Sequence, residues 1–149
     1  MKLLICTSAL VGLALAAPAM AEPYQDYTAQ KGVWEIQTIK VDPNHIDDYL
    51  TGLRTAWITG EEIAKKHGVI DEYHIMVKLN SGGGGANVLL VQHYPSLSAL
   101  EPDKARDQAI EQEGYAAVSK DKGKTLVEGF EKYRTFVSDE YYVTMDYPK

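Results

Sequence analysis

The sequence predicts an α+β domain: a four-stranded antiparallel sheet with helices on one face, in the order strand, helix, strand, strand, helix, strand. Three observations carry that prediction. Residues 72–94 (EYHIMVKLNSGGGGANVLLVQHY) read as two strands folded back on each other through four consecutive glycines. Asp42-Pro43 opens a long apolar stripe at helical spacing, and residues 33–41 and 140–147 supply a strand at either end. A hairpin by itself is marginal in water, so the rest of the chain has to cover it.

The first 21 residues read as an address label. Met1-Lys2 is a short positive start, residues 3–17 are an apolar core, and Ala19-Met20-Ala21 fits the small-x-small cleavage rule. A signal peptide cleaved before Glu22 follows, with the bacterial periplasm or secretion as destination. An uncleaved anchor is the alternative, but an apolar run of about fifteen residues is short of the roughly 20 that span a bilayer. Cleavage removes Cys6, the only cysteine, which leaves no disulfide, no thiolate and no cysteine metal site. Loss of Lys2 also takes the formal charge from −6 to −7. That acidity opposes nucleic-acid phosphates and anionic lipid, so neither nucleic acid nor, after cleavage, membrane is expected as a partner.

Residues 22–32 (EPYQDYTAQKG) are polar and aperiodic and read as a linker. The folded domain then occupies residues 33–149. In VWEIQTIKV, Trp34, Ile36 and Thr38 point one way, and Val33, Glu35, Gln37, Ile39 and Val41 the other. Asp42 is an N-cap acceptor followed by proline at the first helical position, where the missing N–H costs nothing. The helix is expected to reach His67 and stop at a left-handed Gly68, with a bend at residues 57–60. Its buried stripe is Ile46, Tyr49, Leu50, Leu53, Trp57, Ile63 and Ala64.

In the hairpin, Tyr73, Ile75, Val77 and Leu79 alternate with His74, Met76 and Lys78, and residues 88–94 form the more apolar second strand. Residues 97–100 make one turn. A thinly packed helix is expected from Pro102 to Lys120, a break at residues 121–124, and a cleaner amphipathic helix over 125–137 with Leu126, Phe130, Tyr133 and Val137 on one face. Residues 140–147 (EYYVTMDY) complete the sheet. Its second face is left bare, and a twin subunit is expected to cover it.

Three stretches resemble the dimeric α+β barrel superfamily of ferredoxin-like βαββαβ domains, the group holding antibiotic-biosynthesis monooxygenase-like and NIPSNAP-like domains. They are VWEIQTIKVDPNHIDDYL (33–50), AKKHGVI (64–70) and VLLVQHYPSLSAL (88–100). They match that group's first strand with its proline-started helix, its Lys-His-Gly helix end, and its third strand running into a Tyr-x-Ser-Leu turn. The resemblance covers about half the mature chain and implies a homodimer with a ligand between sheet and helices or inside the barrel. The implied chemistry ranges over cofactor-free oxygenation of electron-rich aromatics, haem binding, breakdown or isomerisation of small molecules, and no reaction at all. Export, and a long charged second helical region (101–137), set this chain apart.

The four histidines show no H-x-H or H-E-x-x-H spacing. His45 with Asp48 reads as an exposed acidic helix start, and His67 as a partner of the helix dipole. His74 and His93 lie on the hairpin; His74 shares with Met76 and Lys78 a face expected to point away from the helices, and His93 shares a face with Leu89 and Val91. Inside a barrel they would act as general base towards a phenol or enol, or bind a haem iron. The competing account is a hydrogen-bonded interface histidine. Glu35 and Gln37, with Tyr142 and Thr144, are candidate polar groups of the same cavity, and Trp34 with nearby tyrosines would hold an aromatic ring. The glycine run lacks the lysine and hydroxyl of a phosphate loop and joins two strands, so it reads as a hairpin tip.

The reading that results is an exported homodimer binding a small hydrophobic or aromatic molecule. As an enzyme it would be a cofactor-independent oxygenase or isomerase of a phenolic or quinone-like compound, with His74 or His93 taking the proton. A non-catalytic ligand-binding or stress-associated module is the alternative, and a haem-binding protein the third.

Overall fold

The computed structural model describes residues 21–79 and 84–148. The segment read as a signal peptide (but for Ala21) and the first two glycines of the hairpin run lie outside the described residues. Six strands and four α-helices follow in the order β1 (Thr28–Ala29), β2 (Val33–Val41), α1 (Ile46–Leu53), α2 (Thr59–Lys66), β3 (Glu72–Val77), β4 (Val88–Tyr94), α3 (Lys104–Ala117), α4 (Lys120–Phe130), β5 (Arg134–Tyr142) and β6 (Met145–Asp146).

The main sheet is antiparallel with order β3-β4-β2-β5. This is the ferredoxin-like α+β arrangement: the first and third long strands are central, and a strand closes each edge. Val33–Val41 and Val88–Tyr94 form as the alternation predicts, and their pairing runs without a break from Val33↔Tyr94 to Ile39↔Val88. The hairpin's first strand is shorter than expected. It ends at Val77, and Leu79 is fully exposed beyond it. Asn87 closes the end of the hairpin by standing in for a strand partner. Its amide oxygen accepts from the Val41 N–H (2.8 Å) and its amide nitrogen donates to the Val41 carbonyl (2.9 Å).

The Asp42 carboxylate accepts from the Asn44 N–H at 2.9 Å, as an N-cap should, and Pro43 opens a 3₁₀ turn, Pro43–His45, ahead of α1. Between α1 and α2 the irregularity lies earlier than Gly60. Residues Arg54–Ile58 form a π-helical turn, which rotates the helix so that Trp57 packs edge-on against Tyr73 of β3 (5.6 Å). Gly68 ends α2 with φ +71°, a conformation that costs glycine nothing.

The core lies between the sheet and α1, where Ile39, Val41, Val88 and Leu90 meet Tyr49, Leu53 and Phe130. Each fully buried aliphatic side chain there contributes about 1.5–3 kcal/mol. Phe130 and Tyr49 pack edge to face at 5.0 Å, and Arg134 lies over both rings.

The second half departs from expectation in two places. The break between helices falls at Val118–Ser119, where the Ser119 hydroxyl caps α4, so residues 121–124 are helical. Residues 134–137 are strand: Ile39, Lys40 and Val41 pair with Phe136, Thr135 and Arg134, and the last long strand is Arg134–Tyr142 instead of 140–147. The 125–137 pattern does suit a helix locally. However, Arg-Thr-Phe-Val is also good strand sequence, and β2 offers a whole edge of unpaired backbone groups that only another strand satisfies. Val137 is the residue left over at the resulting register shift. Within the segment read as a linker, Thr28–Ala29 pairs with Met145–Asp146 as a second, two-stranded sheet.

Candidate functional site

Successive residues of a strand point to opposite faces, and here that rule divides the candidate residues into two groups. On the face that carries no helix among the described residues, the cross-strand register aligns Tyr142, Trp34, His93 and Glu72 in one row, and Glu140, Ile36, Val91 and His74 in the next. On the helix face the intervening row is Tyr141, Glu35, Gln92 and Tyr73. Trp34, His74, His93 and Tyr142 therefore share a face. Glu35 and Gln37 do not join them: the single cavity expected for all six is corrected to two separate surfaces, because Glu35 and Gln37 have the opposite strand parity.

On the open face Trp34 is the hub. Its ring centroid is 4.6 Å from that of His93 and 6.3 Å from that of His74, nearly parallel to the latter. Both imidazoles are held by carboxylates. His93 Nδ1 meets Asp71 at 2.6 Å, and His74 Nε2 meets Glu72 at 2.8 Å. A carboxylate on one ring nitrogen keeps the proton there and leaves the other nitrogen as an acceptor. The two differ in access. The His93 side chain is only 17 % exposed, and its Nε2 edge lies against Gly32, where an added Cβ would come within 2.4 Å. The His74 side chain is 45 % exposed. Tyr142 donates to Glu140, which raises the pKa of its phenol.

On the helix face Glu35 is 5 % exposed and densely bonded. It accepts from Tyr94 Oη (2.6 Å), Gln92 Nε2 (3.0 Å) and Gln37 Nε2 (3.1 Å). Burial and this hydrogen bond push the Tyr94 phenol far above its ordinary pKa. Burial, then the Glu35 charge, raise Asp139 and Tyr141 of β5. Glu61 of α2 faces the same cluster and is 8 % exposed.

Sequence reasoning missed Asp71, Glu72, Glu61 and Asp139. Asp71 and Glu72 sit at a turn after Gly68 and are read from sequence only as solvated charges. Glu61 falls four residues after Trp57, on the buried side of its helix, and that spacing was available as a signal. His45 bonds Asp48 (3.0 Å) and stacks on Tyr133, whereas His67 bonds Glu113 of α3 (3.0 Å) beside Lys66 (2.6 Å). These last contacts tie α2 to α3. No group of three or more His, Cys, Asp or Glu among the described residues is placed to hold a metal ion.

Clefts of about 270–350 Å³ lie elsewhere: between α2 and the α3–α4 pair, at the hairpin tip, and beside Gly32 and Pro95.

No family model matches the chain, and no curated protein matches it. Solved structures similar to it include a NIPSNAP family protein of unknown function from Agrobacterium tumefaciens (14 % identity, TM-score 0.43, covering 78 % of this chain and 89 % of that one). A dimeric ferredoxin-like protein from an uncultured marine organism is similar at 12 % identity and TM-score 0.44, covering 80 % and 91 %. A dimeric protein of unknown function with a ferredoxin-like fold from Bacteroides fragilis is similar at 20 % identity and TM-score 0.42, covering 80 % and 99 %. These neighbours are of the kind named by the resemblance in the sequence.

Proposed function

We propose that the chain works as an exported homodimer whose sheets meet through their helix-free faces and hold a small phenol or hydroquinone between them. The observation that carries this reading is the Trp34–His74–His93 cluster, an aromatic ring flanked by two carboxylate-held imidazoles on a face with no helix among the described residues. Met76 and Tyr142 on that face remain about half exposed beside the partly exposed Ile36 and Leu89, so a second copy has apolar surface to bury. Trp34 supplies the stacking surface. His93, locked by Asp71 and packed under Gly32, is a fixed wall. His74, the more open imidazole, takes the hydroxyl proton at Nδ1 while Glu72 holds Nε2. A deprotonated, electron-rich ring is what cofactor-free oxygenation requires, and the same proton transfer serves an isomerisation.

The test uses the mature protein with hydroquinone as probe. Sedimentation should give a dimer, hydroquinone should quench Trp34 fluorescence in the wild type and not in Trp34→Leu, and His74→Ala should keep the quench while losing oxygen uptake. A monomer with no quench sinks the proposal. Quenching without oxygen uptake or isomerisation leaves the second reading, a binding module. Export is tested by the N-terminus of the secreted or periplasmic form, which should be Glu22.

A further inference from the structure

Glu61 takes no part in the open face, yet it is the least satisfied group among the described residues. Its Oε2 atom is buried with no hydrogen-bond partner, the one such side-chain atom found there. It faces Glu35 of β2, Tyr94 of β4 and Tyr73 of β3, while Gln37, Gln92, Asp139 and Tyr141 are gathered around Glu35 on the same face of the sheet. On its own helix Glu62 bonds the Tyr73 phenol, and Lys66 and His67 are turned to Glu113 of α3. None of the ion pairs among the described residues includes Glu61, Glu35 or Asp139. Two nearly buried carboxyl groups therefore face each other across the α2–sheet junction without a cation. Both cannot be charged at low cost.

We propose that Glu61 is a proton-dependent latch: α2 is seated firmly on the sheet while Glu61 is protonated, and its seating weakens as the solution pH strips that proton. Burial, then the Glu35 charge, raise the Glu61 carboxyl from 4.5 to about 7. Between these two values the seated helix keeps a proton that the released helix loses. Each pH unit in that window favours release roughly tenfold, and above about 7 the ratio levels off because both forms are ionised. The Lys66–His67–Glu113 contacts at the end of α2 do not include this pair, and Glu61→Gln leaves them in place.

Amide-exchange protection of α2 across pH 5 to 9 tests the latch in the mature protein. The wild type should lose protection roughly a hundredfold between pH 5 and 8, with a plateau above 7. Glu61→Gln should hold nearly constant protection over the same range. A carbon-13 titration of the Glu61 carboxyl in the wild type provides a readout that needs no variant, with a midpoint near 7 expected and a midpoint near 4.5 overturning the proposal. Equal pH dependence in wild type and Glu61→Gln would overturn it as well.

Discussion

The two faces of the sheet solve the problem of carboxylates in opposite ways. On the open face Asp71 and Glu72 each meet an imidazole in a partly exposed pair. On the helix face Glu35, Glu61 and Asp139 are gathered with amides and phenols and no cation among the described residues. Water screens the first set, so its pairs add little stability. Glu35 and Glu61 are shielded from water, so their charges interact strongly and their protonation is tied to packing, whereas Asp139 is exposed. One residue step along β2, from Trp34 to Glu35, crosses from one regime to the other.

That contrast can be broken from the helix side first. Phe130→Ala removes the ring that packs on Tyr49 and over Gly52. It should cost about 3–5 kcal/mol in denaturant unfolding, while any remaining folded protein keeps the open-face cluster. Gly32→Ala is next. Its φ of +91° disfavours a side chain, and the new Cβ would run into the His93 ring and the Tyr94 carbonyl. A loss of about 1–3 kcal/mol is expected, accompanied by a shift in hydroquinone quenching because the His93 wall moves. Asp71→Asn should change stability least, by less than about 1 kcal/mol, since the pair is half in water. Its mark should be a change in the His93 ring tautomer seen by nitrogen-15 NMR, because Asp71 is what holds the proton at Nδ1.

How much of this was legible in the sequence depends on which force decided each element. The strand 33–41, the hairpin's second strand, the Asp42-Pro43 start and the Gly68 stop were all readable because local pattern and final environment agree there. Residues 134–137 were not. Their helical period is genuine, and the edge of β2 overrode it. Glu61 was half hidden for a related reason: its spacing from Trp57 marks the buried side of the helix, but only the approach of β2 with Glu35 shows what the carboxyl meets there.

Alternation along β2 and β4 by itself determined which residues share a face, because strand parity is covalent geometry. Tertiary structure alone decided which carboxylate each face received, where the last strand begins, and that Trp34 lies between two histidines. Those outcomes depend on cross-strand register and on the free energy of taking charge out of water, neither of which is a property of any single stretch of chain.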